Sequence, residues 1–187
     1  MNKILLKGQT PDYAVGVAQT GAVWNGVPLP YRFDGEVGQF YCGSVEVGDS
    51  VWIQAIQWRW ASGERWSRPN QSWFDVAFLD SENLVSILSL KKDSAVNVFE
   101  FLTRLSADGI LVEAVQLRLG ACQIRREPRS PAAELRGINP WDLPDIQVWH
   151  VVDVTEARWI GRAQCEAAQE FMASGEFDWR LVGEVDS

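Results

Sequence analysis

Residues 57–66 read QWRWASGERW and combine two residue types that hold flat, negatively charged ligands. Indole rings stack on nucleic-acid bases, at about 1–3 kcal/mol per base, whichever base is present. Guanidinium groups fork onto phosphate oxygens, and arginine outnumbers lysine in this chain by 13 to 4. Rings beside fixed cations predict a binding surface. Its candidate nucleic-acid-binding residues in and after this stretch are Trp58, Arg59, Trp60, Arg65, Trp66, Arg68 and Trp73.

A second group of arginines lies between residues 118 and 136. This segment carries a local formal charge of +3 and residues 57–68 carry +2, whereas the whole chain carries −8. The overall acidity argues against a general polyanion binder, whose usual footprint is a basic surface. Binding to nucleic acid would therefore depend on the two segments with a local excess of positive charge. In the second of them, Arg125, Arg126 and Arg129 are the candidates for phosphate contact.

Residues that could catalyse a reaction are sparse. The single histidine, His150, falls mid-strand between apolar residues, and the three cysteines are too dispersed for a zinc site. No phosphate-binding glycine loop and no serine elbow occur. Asp75, Asp80 and Glu82 could hold Mg²⁺, but the last two flank a tight turn, where acids serve local hydrogen bonds. We therefore expect no enzyme activity, no catalytic residue, no metal and no cofactor.

Hydrophobic periodicity predicts a mainly β chain with minor α content. Strict alternation along residues 51–61 would place Trp52, Trp58 and Trp60 on one face and Arg59 on the other. The two arginine groups would fall in or beside the connecting loops 62–71 and 127–145. The predicted strands are 51–61, 72–80, 84–90, 110–119 and 146–154, and the pattern leaves open a continuation of the fourth strand through residues 120–126. One helix is predicted at 94–109 and a last helix near 156–174.

Five strands with a helix between the third and the fourth resemble the oligonucleotide/oligosaccharide-binding fold, or OB-fold. The resemblance covers residues 46–154 and consists of element order and loop placement. It implies a five-stranded barrel, with residues 1–45 as an N-terminal β extension packing on it and residues 155–187 as a C-terminal helix and short acidic tail. Ligands of this fold lie on strands 2 and 3 between the 1–2 and 4–5 loops, which here are the two arginine-rich loops.

The resemblance implies a single-stranded nucleic-acid-binding protein of bacterial or phage type, with single-stranded DNA as the expected ligand. In such proteins an acidic C-terminal segment recruits a protein partner; here residues 175–187 could do so, or pack as a final strand. With no apolar run of 18 residues and no signal peptide, we expect a cytoplasmic protein without a membrane partner.

The alternative is a virion or assembly-complex structural or adaptor protein. Tryptophan and arginine are also enriched at protein–protein hot spots, so composition does not separate the two functions. The salt dependence of binding would separate the two functions, because phosphate contacts weaken as the salt concentration rises and a dry apolar interface does not. A homo-oligomer is compatible with either function, and the sequence does not distinguish DNA from RNA.

Overall fold

The computed structural model describes residues 24–65, 68–80, 83–126 and 147–179. Within these ranges the protein is mainly β, with one curled eight-stranded sheet and two helices. The strands are β1 (Trp24–Asp34), β2 (Gln39–Cys42), β3 (Val45–Gly48), β4 (Ser50–Arg65), β5 (Arg68–Leu79), β6 (Leu84–Leu90), β7 (Val115–Arg126) and β8 (Gln147–Trp159); the helices are α1 (Lys92–Ala107) and α2 (Arg162–Ser174), with a one-turn 3-10 helix at Val112–Ala114.

The strand order across the sheet is β3-β2-β1-β6-β5-β4-β7-β8. Every neighbouring pair is antiparallel except β1 and β6, which are parallel. The predicted order of β4, β5, β6, α1, β7 and β8 along the chain is observed. The five-stranded barrel is not confirmed, because β1 occupies the place beside β6 and extends the sheet by three strands.

Helix α1 fills the inside of the curl. Its buried residues recur at helical spacing, with Val98, Leu102 and Leu105 on one stripe. They pack against inward-facing residues of β4 to β8, and fully buried members of this first core include Ile53, Phe74, Phe78, Leu88, Leu117, Leu119 and Val152.

Helix α2 covers the opposite face of the sheet. Ala168 and Phe171 pack there against residues of β4, β5 and β6, which form a second, smaller core. The segment that follows α2 lies over the same face, where Phe177 and Trp179 are partly buried. Alternate residues of β5 and β6 thus serve two different cores, as expected for strands covered on both faces.

The outer edge of β8 is covered by other parts of the chain. The Val152 N–H donates to Ser94 Oγ at 2.9 Å, and Asn97 Nδ2 donates to the Val152 carbonyl at 3.0 Å. The His150 N–H donates to the Gly35 carbonyl in the β1–β2 turn at 2.7 Å. Unpaired edge groups invite pairing with another chain, so these contacts protect this end of the sheet.

Three predicted boundaries are wrong. β7 begins at Val115 and not at residue 110, because Val112–Ala114 form a one-turn 3-10 helix. Residues 62–71 are not a loop, because β4 continues to Arg65 and β5 begins at Arg68; the proline within β5 is tolerated because strand edges accept it. β8 continues to Trp159, so the last helix begins at Arg162 and not near 156. In that extension, buried Ala157 alternates with the exposed Arg158, which is strand periodicity. The predicted loop 127–145 lies outside the described residues.

No helix in the described part of the chain is both long and apolar enough to cross a membrane.

Candidate functional site

A bulge in β4 determines which way the tryptophans of 57–66 point. Ala55 pairs with Phe78 and Gln57 pairs with Ala77, so Ile56 is an extra residue with no partner of its own in β5. An extra residue reverses the alternation of every side chain beyond it. The predicted face shared by Trp52, Trp58 and Trp60 is therefore wrong.

Beyond the bulge, Trp58 and Trp60 lie on the face that packs around α1. Trp58 is partly buried against the first core. Trp60 is 49% exposed, and its ring lies 5.1 Å from that of Phe74 and 5.7 Å from that of Phe99. Phe74 is fully buried, so Trp60 is held from behind by fixed rings. We call Trp60, Phe74 and Phe99 the aromatic patch.

Arg59 lies on the opposite face and is engaged within the fold. Its Nε donates to Asp75 Oδ2 at 3.3 Å, and its guanidinium carbon lies 4.3 Å from the centre of the Trp179 ring. Asp75 is fully buried and also accepts a hydrogen bond from Ser89 Oγ at 2.7 Å. A buried carboxylate requires such partners, so Arg59 neutralises Asp75 and is not a free phosphate ligand.

Trp73 is also committed to the fold. Its side chain is 3% exposed, and its Nε1–H donates to the Gly63 carbonyl across the hairpin at 3.3 Å. The ammonium group of Lys91 lies 5.6 Å from the ring centre. A ring this deeply buried has no face to offer to a base, so its burial argues against the predicted stacking of Trp73 on nucleic acid.

The hairpin of β4 and β5 extends beyond the rest of the sheet. The pairing of β5 with β6 stops at Phe74, whereas β4 and β5 stay paired as far as Arg65 and Arg68. Residues 61–65 and 68–73 form what we call the ribbon, to which no third described strand is paired. At about 3.3 Å per residue it is roughly 16 Å long. The side chains of residues 64–70 and all of Trp66 lie outside the description.

The second arginine group lies far from the ribbon. Arg125 is exposed on β7, and Arg126 ends that strand, with its side chain outside the described set. Ser50 at the start of β4 pairs with Gly120, so β7 runs on past that end of β4, whereas Arg65 stands at its other end. The structure does not bring the two groups together along β4. Arg129 lies outside the described residues.

The described side chains that could take part in catalysis make contacts that serve the fold. The His150 ring packs against Gly38, and its Nδ1 is buried without a hydrogen-bond partner. Asp80 accepts the Leu84 N–H at 3.0 Å, which is a turn contact, while Glu82 is outside the described residues. Burial raises the pKa of all three cysteine thiols, so they are poor nucleophiles at neutral pH. The described ranges contain no group of three or more possible metal ligands from His, Cys, Asp and Glu.

Family models, curated proteins and solved structures give no match to this chain.

One further surface was not expected from the sequence. Strand β3 is the second outer edge of the sheet, and Val45 and Val47 on it are 67% and 42% exposed, with Glu46 exposed between them. The alternating stretch VEVG after Gly43 is the signal of a short strand. This strand could have been predicted from the sequence, but a stretch of only four residues between two glycines is also typical of a turn.

Proposed function

We propose that this protein is a non-enzymatic subunit of a protein assembly, which docks onto a partner protein through the ribbon and the aromatic patch. The observation that carries the proposal is the ribbon itself, which extends past the sheet with a half-exposed Trp60 at its base. An isolated two-stranded ribbon is at best marginally stable in water. A partner surface would stabilise the part of the ribbon that its own sheet does not support.

The aromatic patch suits such a contact. Tryptophan is one of the residue types enriched at protein–protein hot spots. Packing against Phe74 and Phe99 fixes the Trp60 ring before binding, so little side-chain entropy is lost when a partner covers it. Trp60 thus offers a large apolar area that is already oriented.

The electrostatics favour a protein partner over a polyanion. The chain carries −8 overall, and several arginines are engaged internally. Arg59 contacts Asp75, and Arg158 donates to Gln116 Oε1 and stacks on Trp52 at 4.2 Å. Each engaged guanidinium is one fewer cation for phosphates.

The second candidate function is binding of single-stranded nucleic acid, with DNA as the expected strand. It is favoured by the chain order of β4, β5, β6, α1, β7 and β8, which fits an OB-like unit to which residues 24–48 add strands. It is also favoured by Arg65 and Arg68, which are paired at the tip of the ribbon that carries Trp60 at its base. This function would use a smaller site than the sequence predicts.

Site-specific photocrosslinking separates the two functions. Trp60 is replaced by benzoylphenylalanine in cells that make the protein naturally, and the adducts are resolved by mass before and after nuclease treatment. A discrete protein adduct that resists nuclease supports the assembly function, and a nuclease-sensitive adduct supports nucleic-acid binding. The matched control places the same group at Leu111, another exposed apolar residue. Identical adducts from both positions, or none from position 60, would contradict a role for the patch.

A further inference from the structure

We infer, building on the docking role proposed for the ribbon, that its partner is the open β3 edge of a second copy of this chain. The ribbon of one copy would add to the sheet of the next copy beside β3. The sheet would then continue from one subunit into another.

The two outer edges of the sheet differ in a way that points to β3. The β8 edge is closed by Ser94, Asn97 and the β1–β2 turn. On the outer side of β3 no described strand is paired, and Val45 and Val47 remain exposed there. An apolar edge with unpaired backbone groups is a template for strand addition. Among the described residues, one outer edge of the sheet is thus covered and the other has no strand paired to it.

The charge of the β3 edge indicates which kind of strand would pair with it. Residues 24–58 contain four acidic residues and one basic residue, Arg32, which is engaged with Asp34 and Tyr41, and Glu46 lies in the middle of β3. A neutral or acidic strand would gain little there, whereas the ribbon carries Arg65 and Arg68 against the single acid Glu64. The two surfaces are therefore complementary within one sequence.

Length and position are compatible with a contact between copies. β3 has four residues and each side of the ribbon has five or six, so the edge can be paired over its full length. Within one chain the ribbon stands at the far end of β4 from β3, so the pairing has to form between molecules. Two different surfaces then meet head to tail, an arrangement that produces rings or filaments.

The test is the self-association of the full chain, measured by sedimentation velocity and light scattering over a range of concentrations at low salt. Wild type is expected to form species larger than a monomer. Val47→Lys and the pair Arg65→Glu with Arg68→Glu should each raise the concentration of half-association at least tenfold. The matched control is Val96→Lys, which adds the same charge at an exposed valine on α1 and should leave association unchanged.

Charge reversal supplies the decisive comparison. Glu46→Arg alone should weaken association, and Glu46→Arg combined with Arg65→Glu and Arg68→Glu in one chain should restore it. Circular dichroism and melting temperature show that each variant is folded. A wild type that stays monomeric at its highest attainable concentration, or oligomers that ignore every β3 variant, would overturn the inference.

The outcomes also separate this inference from the proposed function. If Trp60 crosslinks to a different protein while purified wild type stays monomeric, the docking function survives and self-assembly is wrong. If neither the ribbon substitutions nor crosslinking at position 60 reveals any protein contact, both are wrong. A nuclease-sensitive adduct at position 60 also contradicts both.

Discussion

Replacing Arg59 by methionine tests whether this arginine serves the fold or a ligand. Methionine keeps an unbranched side chain but removes the cation, and Asp75 stays fully buried while it still accepts the hydrogen bond from the Ser89 hydroxyl. Removing one partner of a buried ion pair costs about 3–5 kcal/mol. We expect the lower end, about 3 kcal/mol, because Ser89 still donates and the Arg59 side chain is about a third exposed.

The partner substitution Asp75→Asn should cost less. It removes the buried charge with little change of shape, and the partly exposed Arg59 can turn toward water while remaining near Trp179. Loss of charge-assisted hydrogen bonds suggests about 1–2 kcal/mol. The loss of stability in the double variant should be closer to that of Asp75→Asn than to the sum of the two single losses. Without the carboxylate there is no buried charge left to neutralise.

Urea and thermal unfolding at neutral pH, followed by tryptophan fluorescence and circular dichroism, measure all three variants. A loss of about 3 kcal/mol lowers the melting temperature of a chain of this size by roughly 6–12 °C. Arg125→Met is the control, since that arginine is exposed on β7 and its loss should change stability by less than about 0.5 kcal/mol. If Arg59→Met melts with wild type but loses affinity for an oligonucleotide, the structural role assigned to Arg59 is wrong.

Three further outcomes are expected. Phe74→Ala should cost about 3–5 kcal/mol in urea unfolding because the ring is fully buried, whereas Trp60→Ala should cost about 1 kcal/mol or less; equal costs would contradict the half-exposed position of Trp60. Gly38→Ala should lower the melting temperature more than Gly43→Ala: both have positive φ, but a Cβ at 38 would lie 2.8 Å from His150 Cγ, and one at 43 meets nothing within 4 Å. Because burial raises the pKa of the three thiols, they ionise earlier in the unfolded chain, so stability should fall as pH rises through and above 9, and replacing all three by serine should flatten that decline.

Much of the strand pattern could be predicted from local sequence. The segments that became β4, β5, β6 and β8 are rich in β-branched and aromatic residues, and α1 shows its buried stripe directly. These signals are strong because burial of one face imposes a period on the sequence. The parallel pairing of β1 with β6 joins residues 57 to 60 positions apart in the chain, and periodicity carries no information about such partners.

The candidate site was harder to predict, because its geometry depends on the bulge at Ile56. Alternation alone cannot reveal an extra residue, since the bulge is defined by the register of the partner strand. It separates Trp52 from Trp60 and aims Arg59 at Asp75. Likewise, Trp73 is buried beside Gly63 and Lys91, and these contacts cannot be inferred from the polar residues around it in the sequence.

The contacts that cover the outer edge of β8 have a consequence for folding during synthesis. Helix α1 is synthesised some 40 residues before β8, and it already carries Ser94 and Asn97, the side chains that bind the backbone of Val152. When β8 emerges from the ribosome, the helix that provides these groups has therefore already been synthesised. β8 is the last strand of the described residues, so its edge can be covered as soon as it joins the sheet, which shortens the time in which that edge could pair with a neighbouring nascent chain.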